Sequence, residues 1–191
     1  LVNRTEKQNL KTLDLVRIGT SGGLQEHCPI GSYVVSKRSI GFDGLLNYYS
    51  IPDKILDFDF EKAFCNHTQW HKRLPAPYVV SANEELVQRV GFDMIKGVTI
   101  SAPGFYGPQG RYVRLKPNDI DLNEKIRSFR YGEEMITNFE MESSALAGLG
   151  KALGHRAMTV CAIIAGRVHK NMNTEYKGSI EGLIRVVLDR I

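Results

Sequence analysis

In the stretch Asn138–Ser144 (NFEMESS), two carboxylates, Glu140 and Glu142, flank a methionine where an apolar strand gives way to small residues. On an extended backbone alternate residues share a face, so the two acids can converge. Converging carboxylates accept hydrogen bonds well from a vicinal diol such as the hydroxyl pair of a pentose. Acids at this point also suit a helix N-terminus through the macrodipole alone.

Two other stretches carry complementary chemistry. Val16–Gly23 (VRIGTSGG) reads as a strand ending in glycines and hydroxyls. The N–H groups freed by such a turn form an anion-binding nest, Thr20 and Ser21 add donors, and Arg17 offers a bidentate charge to a phosphate. The alternative is a tight turn whose glycines only supply positive φ. The GxxxxGK[ST] pattern of a P-loop is missing. Phe105–Arg111 (FYGPQGR) places Gln109 and Arg111 two residues apart on a stiff loop. An amide that accepts and donates, beside a guanidinium that donates, matches the edge of a uracil ring, with Phe105 free to stack on its face. A surface loop with a solvated arginine is the other reading.

Two features point less far. His67 and His71 stand at i and i+4, a metal-ligand spacing, but the Glu of HExxH and a third ligand are missing. No metal site is expected. Cys161 lies in an apolar strand and reads as inert core. The three cysteines form no CxxC pattern, which suits a reducing, cytoplasmic compartment.

Bulk properties narrow the class. With 191 residues, 42% hydrophobic and 24% charged, the chain can build one domain with a real core. A formal charge of +4 without a dense Lys/Arg block is no nucleic-acid signature. No apolar run reaches the ~18 residues that span a bilayer, so no membrane partner is expected.

These groups need elements to hold them. Strands are predicted at Leu13–Ile18, Ile30–Lys37, Tyr78–Ser81, Gly97–Ala102, Met135–Phe139 and Ala157–Ala165. Helices are predicted at Phe60–His71, at Asn83–Val90 behind a capping box from Ser81 to Glu84, at Ile120–Phe129 and at Met141–Leu153 with Gly154 as its stop. In the last helix Ile180, Leu183, Ile184, Val187, Leu188 and Ile191 form one apolar stripe. Alternation of strands and helices implies an α/β domain, a central mixed sheet flanked by helices. A central-looking strand arrives almost at once, so the sequence is expected to begin inside a domain, N-terminally incomplete, with residues 1–191 forming a single unit.

RIGTSGG, FYGPQGR and NFEMESS, in that order, resemble the nucleoside phosphorylase family in its uridine phosphorylase branch, and the resemblance runs from about Asp14 to Ile191. It implies a phosphorylase/hydrolase-like fold and a pentosyltransferase that converts uridine and phosphate to uracil and ribose 1-phosphate in pyrimidine salvage. By matching position, Arg17 and Thr20 would bind phosphate. Phe105, Gln109, Arg111 and Arg167 would bind the base. Met141, through its backbone, and Glu142 would bind the ribose, supported by Glu140. Arg17, Arg111 and Glu142 would carry the catalysis. No cofactor is implied, since phosphate is the co-substrate. A homo-oligomer, dimer or hexamer, with shared active sites is implied. Purine-specific phosphorylases and nucleosidases of this family place an Asp after the strand matching Ala157–Ala165, where this chain reads Ala165–Gly166–Arg167. A purine-specific or hydrolytic relative and a non-catalytic nucleoside-binding relative are the alternatives.

Overall fold

The computed structural model describes residues 12–167 and 171–191. Its strands and helices follow in the order β1 (Asp14–Gly23), β2 (Tyr33–Gly41), α1 (Phe58–Thr68), β3 (Tyr78–Ser81), α2 (Glu84–Gly91), β4 (Ile95–Ser101), α3 (Leu122–Ser128), β5 (Arg130–Tyr131), β6 (Glu134–Glu140), α4 (Ser143–Ala152), β7 (Arg156–Gly166), β8 (Asn171–Met172) and α5 (Lys177–Leu188). The expected mixed α/β architecture is present.

The sheet runs β3-β2-β4-β6-β1-β7-β8, and β2 also pairs with β7. That extra pairing, antiparallel between Tyr33–Val35 and Val160–Ala162, closes five strands into a ring. β2, β4 and β6 run parallel, as do β1 and β7, and antiparallel seams join the two sets. Closure satisfies backbone groups that an open sheet leaves unpaired at its edges.

Helices cover the ring where its strands are apolar. Leu86, Val87 and Val90 of α2 and Leu183 and Val187 of α5 bury against Val35, Met158, Val160 and Ala162. A second cluster packs Phe60 and Phe64 of α1 against Ile40, Val98, Ile100, Ile136 and Phe139. Asn83 caps α2 by accepting from the Leu86 N–H at 3.0 Å, the role expected of Ser81. The stripe on α5 is only half used: Leu183 and Val187 are buried, whereas Ile184, Leu188 and Ile191 are exposed.

β1 departs most from expectation. It does not stop at Gly19 but continues to Gly23, parallel to β7 and, at Gly22 and Gly23, antiparallel to β6. No glycine of this stretch has positive φ. Neither a nest nor a left-handed turn exists there. Glycine is needed for close approach instead: a Cβ on Gly23 would stand 2.5 Å from the carbonyl oxygen of Cys28.

Candidate active site

Asn138–Ser144 spans the end of β6 and the start of α4, and each polar side chain in it is committed. Asn138 is buried, accepts from Thr99 Oγ1 at 2.8 Å and Thr137 Oγ1 at 2.9 Å, and donates to Ser21 Oγ at 3.0 Å. It ties β4, β6 and β1 together where the ring carries the site. Such a buried polar group persists because its partners are complete.

Glu140 is the hub. Its Oε1 accepts from Ser101 Oγ at 2.6 Å and Ser143 Oγ at 2.7 Å. Its Oε2 accepts from the backbone N–H of Glu142 and of Ser143, both at 2.9 Å. Arg17 Nη1 lies 3.0 Å from the same Oε2. With its oxygens so filled, Glu140 has no lone pair to offer a sugar. It caps the first turn of α4 and neutralises Arg17. Glu140 therefore stands behind Glu142 and Arg17 instead of lying open to a ligand.

Glu142 differs. Its side chain is 57% exposed, against 1% for Glu140, and it also pairs with Arg17. The two acids converge as expected, although Glu142 is the N-cap residue of α4 rather than part of a strand. Met141 is exposed at the turn between them. Arg17 is further held by Cys161, whose Sγ lies 3.6 Å from Nη1. Burial pushes the Cys161 thiol up to about 12, so it stays protonated and inert. Thr20 sits in the ladder opposite Ala162, three residues along β1 from Arg17.

The chain of bonds reaches deeper. Ser101 Oγ accepts from the Ser144 N–H at 2.9 Å, and Ser144 Oγ meets the buried hydroxyl of Tyr78 at 2.9 Å. Sequence reasoning missed Ser101, Ser143 and Tyr78 as parts of this frame. The partners of Ser101 and Tyr78 lie 39 and 66 residues away and leave no local pattern, whereas Ser143 meets Glu140 only three residues back.

The loop after β4 forms a second cluster. Pro108 and Gln109 fall in a 3₁₀ turn, Gly107–Gln109. Arg111 lies 3.9 Å above the Phe105 ring and donates to Gln109 Oε1 at 2.5 Å. Arg167, just past β7, donates to the same Oε1 at 2.6 Å and to the Gln109 carbonyl at 2.7 Å. It also packs 4.4 Å from the Phe139 ring. Burial, and then the like charge of Arg111, push the Arg167 guanidinium down to about 9; burial also lowers Arg111. Among the described residues neither has a carboxylate partner. Two half-buried, unbalanced cations favour a ligand on which negative charge develops.

Phe105, Arg111 and Arg167 line a cavity of about 600 Å³ with Leu24, Asn123 and Met172. Arg17, Thr20, Glu140, Met141 and Glu142 do not line it. The two clusters abut through Phe139, which precedes Glu140, and through Gly22 of β1, whose missing Cβ would lie 3.4 Å from Arg167 Nε. His67, one of the two histidines at helical spacing, instead has Nε2 at 2.9 Å from the Lys125 carbonyl in the middle of α3.

Comparison with known proteins places this architecture. The chain is 25% identical to the uridine phosphorylase of Haemophilus influenzae, over 96% of this chain and 66% of that protein. It is 28% identical to the uridine phosphorylase of Thermococcus kodakarensis, over 80% and 48%. The chain thus spans between about half and two thirds of these relatives' length. A nucleoside phosphorylase of Trypanosoma brucei, described as showing uridine phosphorylase activity, superposes with a TM-score of 0.79 at 24% identity, covering 93% of this chain and 62% of that one. The sequence pattern that defines the phosphorylase superfamily matches residues 6–182. With most of its length inside that match, and with the fold to go with it, the chain belongs to the phosphorylase superfamily.

Proposed function

We propose that this chain carries the active-site scaffold of a uridine phosphorylase, which exchanges uracil for phosphate on ribose. The observation that carries this reading is the meeting of Arg17 with Glu140 and Glu142, beside a cavity whose cations, Arg111 and Arg167, lack carboxylate partners. Uridine phosphorylases among the similar proteins support the same choice.

In this reading Arg17 and Thr20 hold phosphate, and Glu142 with the Met141 backbone holds the ribose hydroxyls. A phosphate oxygen bonds to C1′ as the C1′–N1 bond breaks, and the bonding pair leaves with uracil. Arg111 and Arg167 stabilise that anion more than they stabilise neutral uridine, and the difference lowers the barrier. Arg17 contributes by holding the nucleophile near C1′. The present Arg17–Glu142 pair opens when phosphate takes the guanidinium and the diol takes the carboxylate. No protein nucleophile and no redox cofactor enter the scheme. A homo-oligomer, dimer or hexamer, with shared sites and a cytoplasmic location belong to the same proposal.

The test is release of uracil from uridine by the complete protein, followed by absorbance, with and without phosphate. Phosphate-dependent release is expected. Phosphate-independent cleavage would favour a nucleosidase, a preference for inosine a purine enzyme, and uridine binding without turnover a non-catalytic relative.

A further inference from the structure

Ser101 is the last residue of β4 and lies opposite Glu140 in the parallel ladder between β4 and β6. Fully buried, it is out of a ligand's reach. Its hydroxyl donates to Glu140 Oε1 at 2.6 Å and accepts from the Ser144 N–H at 2.9 Å. One short group thus holds both the acid and the helix turn that follows it. The next N–H along, that of Ala102, donates to the Glu140 carbonyl at 2.9 Å, so the two strand ends are also clamped through backbone.

The two halves of the Ser101 grip depend on each other. Glu140 Oε1 has a second donor in Ser143 Oγ at 2.7 Å, but Ser143 rides on the turn of α4 that Ser101 pins. Without the Ser101 hydroxyl the Ser144 N–H is orphaned, the turn loosens, and the Ser143 donor moves with it. The Glu140 carboxylate is then free to pivot. Its Oε2 faces Arg17 Nη1 at 3.0 Å, and Glu142, the N-cap residue of the same turn, pairs with the other end of the guanidinium. A loss at Ser101 therefore reaches Arg17 and Glu142 together, one through the acid and one through the turn.

Resting on the uridine reading, we propose that Ser101 is a positioning residue for two grips of the site, setting Arg17 for phosphate and Glu142 for the ribose hydroxyls. A hydroxyl is required because one atom must both donate and accept. Alanine does neither, and cysteine does both poorly. Bound substrates re-order a loosened Arg17 and Glu142, and that ordering weakens binding. The loss is felt in KM more than in the chemical step.

The experiment measures KM for phosphate and for uridine, with kcat, on the complete protein beside thermal melts. Ser101→Ala is expected to raise both KM values about tenfold to a hundredfold, while kcat stays within about threefold of the wild type. Thr68→Val is the control for stability alone. It removes the buried bond from Thr68 Oγ1 to the Phe64 carbonyl at 2.7 Å, within α1, and should lower the melting temperature without moving either KM. A folded Ser101→Ala with unchanged KM values, or with its loss confined to kcat, overturns the proposal. So does a Thr68→Val that raises both KM values as far, since destabilisation alone then accounts for the effect. If Ser101→Ala does not fold, Ser101→Cys decides, and unchanged KM values in it overturn the proposal. A wild type without phosphate-dependent release of uracil removes the uridine reading and the proposal with it.

Discussion

Gly19 lies directly beneath the guanidinium of Arg17: a Cβ there would stand 2.7 Å from Nη1. Arg17 therefore reaches the acids at the end of β6 by crossing a residue that has no side chain. Since Gly19 lacks positive φ, alanine fits its backbone. Gly19→Ala is expected to shift the melting temperature little but to move Arg17 by about an ångström, raising the KM for phosphate roughly tenfold to a hundredfold. Phosphate saturation curves and a thermal melt on the complete protein check both halves.

Arg111 and Arg167 share an acceptor but should behave differently when removed. Arg111→Ala loses a stacking contact within its own loop and, on the proposed function, a donor to the base. It should lower kcat/KM about a hundredfold, about 3 kcal/mol, and leave the melting temperature nearly unchanged. Arg167→Ala also cuts the two bonds that fasten the loop to the end of β7. Its melting temperature should fall by several degrees along with activity. Equal thermal losses in the two variants would contradict this division.

Glu140→Gln keeps shape but removes the buried charge opposite Arg17 and turns an NH₂ group toward donors. Breaking one side of a buried pair costs about 3 kcal/mol, or roughly 6–12 °C in a chain of this size. Scanning calorimetry measures it directly.

The cysteines should be silent in the native protein. Burial pushes Cys161 up to about 12 and Cys28 up to about 11. Burial, then the nearby Glu61, raises Cys65 as well. A thiol reagent at mildly alkaline pH should label none of the three quickly until denaturant is added. Rapid native labelling of Cys161 would mean that the strand beside Arg17 opens.

Acid stability has an identifiable contributor in Asp14. Hydrogen bonds from Arg156 and then Arg89 hold its carboxyl below the usual range. A depressed folded value means that the contribution is complete above the unfolded pKa and is lost as pH falls through the folded one. Asp14→Asn should lower the melting temperature on the neutral side, where that contribution is complete, and converge with the wild type at acid pH, so that its plot of melting temperature against pH is flatter.

Local chemistry was legible where neighbours in sequence are also neighbours in space. Tyr78–Ser81 was read to the residue, and the apolar core of β7 was plain from Ala157 to Ala165. Glycines and hydroxyls at Gly19–Gly23 mimic a turn, but pairing to β7 and, at the end, β6 overrides that weak preference. α5 shows why a stripe is not a contact: periodicity gives a face, and tertiary packing decides how much of it is covered. In the candidate site the convergence of Glu140 with Glu142 and of Gln109 with Arg111 is legible in the sequence, whereas the pairing of Arg17 with both acids is not. Ser101 and Asn123 were not, because each acts on a partner that folding alone brings near.

The pairing of β2 with β7 has a consequence for how such a site can change. A hoop of strands cannot be sprung at one joint without disturbing the rest, so Arg17 is anchored in the least adjustable part of the molecule. The loop bearing Phe105, Gln109 and Arg111 hangs outside that hoop and can be rebuilt cheaply. On the proposed function, base preference can thus drift easily in this architecture, and the grip on phosphate cannot.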